Sequence, residues 1–185
     1  MRIETITHRL AGGWSRPLPA DLDSPRTLVV TFGAAAYVET SEALAALAAA
    51  FPNSVHAGCS SAGEILGDGV ADGSLVVVVI RFGRAALALA ATPIATMTDS
   101  AAAGMRLGAE LAPRRPRLDL VLSDGLAVNG TELVKGLTES LPPGAAIGKS
   151  LFMSAPKCGD VSVACRASIQ AAFPLSVLIS PLWEM

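Results

Sequence analysis

Two rhythms of hydrophobic and polar positions run along the chain. Leu28-Val29-Val30-Thr31-Phe32 is short, β-branched and almost continuously apolar, the pattern of a strand covered on both faces, and Gly33 ends it. From Ser41 a run of strong helix formers places Leu44, Leu47, Ala48 and Phe51 on one face, with Ser41 as N-cap and Pro52-Asn53 as stop. Residues 54–58 read as a strand again. Together these predict a β-α-β unit with parallel strands.

The following segments extend the mixed pattern. Apolar runs over 74–82 and 85–93, separated by Gly83-Arg84, predict a two-residue hairpin. A helix capped by Asp99 or Ser100 runs to about Leu111, and Leu118-Asp119-Leu120-Val121-Leu122 gives a further strand. Asn129 caps a helix to about Leu141, with Glu132 placed as in a capping box. The order β-α-β-β-β-α-β-α predicts an α/β fold, a mixed sheet with flanking helices in a single domain. Residues 1–24, which contain glycine and proline and end at Asp21-Leu22-Asp23-Ser24, read as a lead-in segment.

Composition narrows the class. With 185 residues, 51% hydrophobic and 16% charged, the chain is long enough to bury a core. A net charge of −2 argues against nucleic acid as a partner, and the basic cluster Arg114-Arg115-Pro116-Arg117 reads as a solvated connection. The start has no apolar core of secretory length, so a cytoplasmic location is expected. The longest uncharged tract, Ala167 to Trp183, is broken by Pro174 and Pro181 and falls short of a membrane span, so no membrane partner is expected. Cys59, Cys158 and Cys165 are odd in number and not closely paired, which suggests neither a disulfide framework nor a metal site.

The chemistry concentrates in one stretch, Gly58-Cys59-Ser60-Ser61-Ala62-Gly63-Glu64-Ile65. Two glycines bracket two hydroxyls, a thiol and a carboxylate directly after a strand. A plain strand-to-loop turn explains it as well, with the serines bonding local backbone and Cys59 as buried filler. In open α/β sheets ligands collect beyond the carboxyl ends of parallel strands, the position of three loops here: 33–40, 59–65 and 123–130. The last contains Asp124, Gly125, Asn129 and Gly130 and opens a helix whose free N–H groups favour a carboxylate. For Asp124 and Asn129 an Asx-turn and an N-cap are the alternative.

Sharper motifs fail. Gly148-Lys149-Ser150 lacks the earlier glycine of a phosphate loop, since position 143 is Pro143. Gly58 to Gly63 has the wrong spacing for a hydrolase elbow. Cys59 as the nucleophile of a hydrolase or acyl transferase needs a base, yet His8 falls in the lead-in and His56, three residues away on a strand, faces the other side. A haem ligated by His56 is disfavoured on the same ground, because a lone histidine on a buried strand is usually packed core. No cofactor is expected.

The serine turn, the Asp-Gly-containing loop and long apolar strand after it, and Ser123-Asp124-Gly125-Leu126 with Asn129-Gly130 resemble the N-terminal domain of the FIST family over about residues 25–148. That resemblance implies an intracellular sensory domain of signal transduction. It implies a small ligand such as an amino acid and an output partner such as a histidine kinase or chemoreceptor; some similar domains are haem-containing nitric oxide sensors. Cys59, Ser60, Ser61, Gly63, Glu64, Asp124, Gly125, Asn129 and Gly130 are the expected ligand-binding residues, converging on one pocket at one sheet edge. Backbone N–H groups would hold a carboxylate, and Glu64 or Asp124 an ammonium group.

After Gly148 the likeness stops. Residues 149–185 read as a divergent or frame-shifted tail, poorly packed, aggregation-prone and dispensable for solubility. A non-catalytic interaction module or a truncated remnant is the alternative function.

Overall fold

The computed structural model describes residues 1–39, 42–61, 63–66, 69–94, 96–124, 128–152 and 175–183. The fold is α/β with mixed sheets, as the sequence pattern predicts. Its strands, however, are divided between two compact units, the first comprising residues 1–83 and the second 84–152 with 175–183.

In the first unit the elements in chain order are β1 (Arg2–Arg9), β2 (Gly13–Trp14), β3 (Thr27–Gly33), α1 (Ala36–Glu39), α2 (Glu42–Ala50), β4 (Val55–Ser60), β5 (Glu64–Leu66), β6 (Gly69–Ala71) and β7 (Ser74–Arg81). The main sheet has the order β2-β1-β7-β3-β4, and β5 with β6 forms a separate hairpin. The predicted β-α-β unit is present, with β3 parallel to β4 and Thr31 opposite Gly58. Val29, Leu47, Phe51, Leu75, Val77 and Val79 form its core. β3 is apolar almost throughout because it is a central strand, paired with β4 on one side and β7 on the other.

Arg2–Arg9 is not a lead-in. It is β1, antiparallel to β7, with Ile6 buried opposite Val77. The rest of the 1–24 segment is fastened by Asp23, whose carboxylate accepts from the Asn53 backbone N–H, the Asn53 amide and the Ser54 hydroxyl.

The second unit contains β8 (Ala85–Pro93), α3 (Ser100–Leu111), β9 (Leu118–Asp124), α4 (Gly130–Ser140), β10 (Ala146–Phe152) and β11 (Leu175–Trp183). Its sheet has the order β10-β9-β11-β8, with β9 parallel to β10 and β11 antiparallel to both its neighbours. Leu107, Leu111, Val121, Leu133 and Leu137 pack between this sheet and the helices.

Two expectations are corrected here. The runs 74–82 and 85–93 do not pair with each other; β7 lies between β1 and β3, and β8 pairs with β11, so Gly83-Arg84 is the joint between units. A short glycine link between two apolar runs signals a reversal only when the runs share a sheet. The supposed tail also supplies structure: the boundary at Gly148 falls inside β10, and residues 175–183 fill the place between β8 and β9. Residues 153–174 lie outside the described residues.

Candidate functional site

The serine turn sits where the parallel-strand rule puts a ligand site, beyond the carboxyl ends of β3 and β4. Ser60 closes β4 opposite Gly33, and the Ser61 backbone N–H donates to the Gly33 carbonyl oxygen at 2.9 Å. Gly63 follows in the bend that leads to Glu64 at the start of β5.

Glu64 is the centre of this turn. The residue is 3% exposed, and both oxygens of its carboxylate are engaged. One accepts from the Ser61 hydroxyl at 2.7 Å; the other accepts from the Ser74 backbone N–H at 3.1 Å and the Ser74 hydroxyl at 2.7 Å. A buried carboxylate is tolerated only with such donors. The result is a clasp that ties the β4–β5 turn to the first residue of β7.

A second cluster stands on the same edge. The Tyr37 hydroxyl of α1 donates to the His8 carbonyl oxygen at 2.8 Å and lies 3.1 Å from His8 Nδ1. Trp14 meets the His8 ring edge-on, with centroids 4.9 Å apart. Burial, and after it the charge of Glu64, push the Tyr37 phenol above its ordinary value. Beside these groups, the turn after β1 and the turn before β7 border an open depression of ≈ 500 Å³ lined by Arg9, Leu10, Ala11, Ala71, Asp72 and Gly73. Its walls join the clasp directly, since Ala71 pairs with Glu64 and Gly73 precedes Ser74.

Cys59 is half-buried on β4, and burial pushes its thiol up to about 12. Neither histidine serves it as a base. His8 is engaged with Tyr37, and His56, on the opposite face of the strand, has Nε2 at 2.9 Å from the Phe51 carbonyl oxygen. Burial depresses His56 below its usual range, which keeps it neutral in the core. A nucleophilic cysteine requires the thiolate, and this environment opposes it.

In the second unit, Asp124 ends β9 opposite Phe152, and Gly130 opens α4. Gly125 lies outside the described residues. Asn129 caps α4, its side-chain oxygen accepting from the N–H groups of Thr131 at 3.1 Å and Glu132 at 3.3 Å. The capping box is replaced by a longer-range bond, because the Asn129 backbone N–H donates to the Ser100 hydroxyl at 2.9 Å. The expectation of one pocket rested on both loops leaving one sheet. They belong to different sheets, so that argument does not carry over.

Sequence reading missed Ser74, His8, Tyr37, Arg9 and Asp72. Ser74 had a signal, a hydroxyl at the head of an apolar strand directly after an Asp-Gly turn. So had β1, where Ile3, Thr5, Ile6 and Thr7 give β-branched character.

The family model described as FIST N domain matches residues 27–148. The chain belongs to this family, whose members are sensory domains of signal-transduction proteins. Comparison with curated proteins gives no match. Among the described residues, no helix is long and apolar enough to cross a membrane.

Proposed function

We propose that this chain is a ligand-binding sensory domain that takes a small zwitterion, an amino acid or similar metabolite, at the carboxyl edge of the first unit. The observation that carries this reading is the Glu64 clasp, which fixes one wall of the depression bearing Arg9 and Asp72. Arg9 takes the ligand carboxylate, Asp72 takes its ammonium group, and the exposed Leu10 covers an apolar side chain. Ser61, Glu64 and Ser74 position that wall. Glu64 is buried and already accepts three hydrogen bonds from Ser61 and Ser74, so the role expected of it passes to Asp72. The output goes to a signalling protein such as a histidine kinase or chemoreceptor, in the cytoplasm, and no catalysis is involved.

A thermal-shift screen of the full chain against amino acids and related metabolites tests this. Saturable stabilisation of about 3 kcal/mol is expected at a hundredfold excess over the dissociation constant. Arg9→Ala should lose about 1–3 kcal/mol of binding while keeping the fold. If Asp124→Asn removes the response and Arg9→Ala does not, the ligand is read by the second unit. If nothing in the screen stabilises the chain, the interaction-module reading is the better one.

A further inference from the structure

The second unit holds a buried acid that ligand sensing does not use. Asp119, second residue of β9, is 0% exposed, and neither of its carboxylate oxygens has a hydrogen-bond partner among the described residues. It shares a face of β9 with Val121, which packs in the core against Leu107, Leu133 and Leu137. An ionised carboxylate in such a place lacks both water and donors, and that cost is large.

Its position on the strand makes ionisation harder still. β9, α4 and β10 follow one another with the two strands parallel, and Ala146 stands opposite Leu118. α4 therefore runs back along the sheet and ends at the level of Asp119. α3 lies parallel to α4, with Gly104 against Leu133 and Gly108 against Ser140. The partially negative ends of both helices thus lie toward the acid.

Among the described residues, neither α3 nor α4 buries a cation against this face. The buried positions of α3 are Ser100, Ala103, Gly104, Leu107, Gly108 and Leu111, and those of α4 are Leu133, Gly136 and Leu137. Residues 175–183 of β11 include no titratable side chain. On β10, Ile147 is opposite Asp119, and the one charged residue, Lys149, is opposite Val121. Arg114, Arg115 and Arg117, just before the strand, are exposed.

We propose that Asp119 is a proton switch in the core of the second unit: as the pH falls below neutrality the folded unit takes up a proton at this carboxyl and becomes more stable. Burial supports it by pushing this acid up to about 6 from its ordinary 3.8. The protonated, neutral form suits an apolar site, whereas the ionised form loosens the amino end of β9. The switch is independent of the ligand reading, since it uses no group at the edge of the first unit.

Hydrogen exchange of the β9 amides in the full chain, corrected for intrinsic rates, reads the stability of this unit. The folded acid titrates above the unfolded one, so its stabilisation is complete below the unfolded value and disappears as the pH rises through about 6. The opening constant should rise about tenfold per pH unit between those limits and level off above about pH 7. Asp119→Asn, fixed neutral, should lack this dependence. Equal pH slopes in the two proteins would overturn the proposal. So would a wild-type stability that rises with pH relative to the variant, which would mean a cation, Lys149 foremost, holds the carboxylate. Should the variant not fold, carbonyl-carbon NMR of Asp119 in the wild type decides: a midpoint well above that of free aspartate supports the switch, and one at or below it refutes it.

Discussion

Gly136 of α4 packs directly on the backbone of Ala101 in α3: a Cβ at position 136 would lie 2.0 Å from the Ala101 carbonyl oxygen. The contact is reciprocal along the helix pair, since a Cβ on Gly104 would lie 2.2 Å from the Leu133 carbonyl oxygen. Both obstacles are backbone, which cannot rotate away. Gly136→Ala must therefore push the helices apart, and we expect a loss of about 3 kcal/mol in urea unfolding despite the better helix propensity of alanine. A neutral or stabilising effect would show that the helices are not this close.

The Glu64 clasp makes a second prediction. Glu64→Gln replaces one acceptor oxygen by an amide that cannot accept, leaving either the Ser61 hydroxyl or the two Ser74 donors without a partner. The expected cost is about 1–3 kcal/mol, read as a lower unfolding midpoint. Ser74→Ala removes one donor only and should cost about 1 kcal/mol. Equal stability of Glu64→Gln and wild type would mean that the clasp does not hold the turn.

Cys59 provides a pH test. Its thiol, raised by burial to about 12, stays protonated through neutral and mildly alkaline solution. In a chain with Cys158→Ser and Cys165→Ser, alkylation by iodoacetamide should be slow at neutral pH and should not plateau below about pH 10, whereas a free cysteine titrates near 8.5. Rapid modification at neutral pH would restore the enzyme reading of Cys59.

The last strand supplies a fourth test. Leu178 of β11 stands opposite Ala90 of β8 and Val121 of β9, so both edges of β11 are paired. Proline there removes a donor and distorts a central strand, and Leu178→Pro should cost about 3 kcal/mol or more and drive the protein into the insoluble fraction. Deletion after Gly148 should do the same, because it uncovers β8 and β9 together. A truncated protein that stays soluble and cooperatively folded would return residues 149–185 to the status of a dispensable tail.

The amino-acid sequence alone determined whatever depends on neighbours along the chain. The apolar run at Leu28 to Phe32, the alanine-rich helix ending at Ala50 and the parallel strand through Val55 are legible because local periodicity and stop residues specify them. The cap at Asn129 and the polar turn at Cys59 to Glu64 were visible for the same reason, as was the family likeness they carry. Tertiary structure decided what depends on partners distant in sequence. Nothing local tells that β7 and β8 enter different sheets, or that Ser180 and its neighbours pair beside Ala88; strand pairing is a choice among remote edges. Nor could spacing show that Ser74, ten residues on, would occupy Glu64, or that His8 would meet Tyr37. The burial of Asp119 without a partner follows from helices folding over its face of the sheet. Its residue type was plain in the strand, but its electrostatic character exists only once that cover is in place.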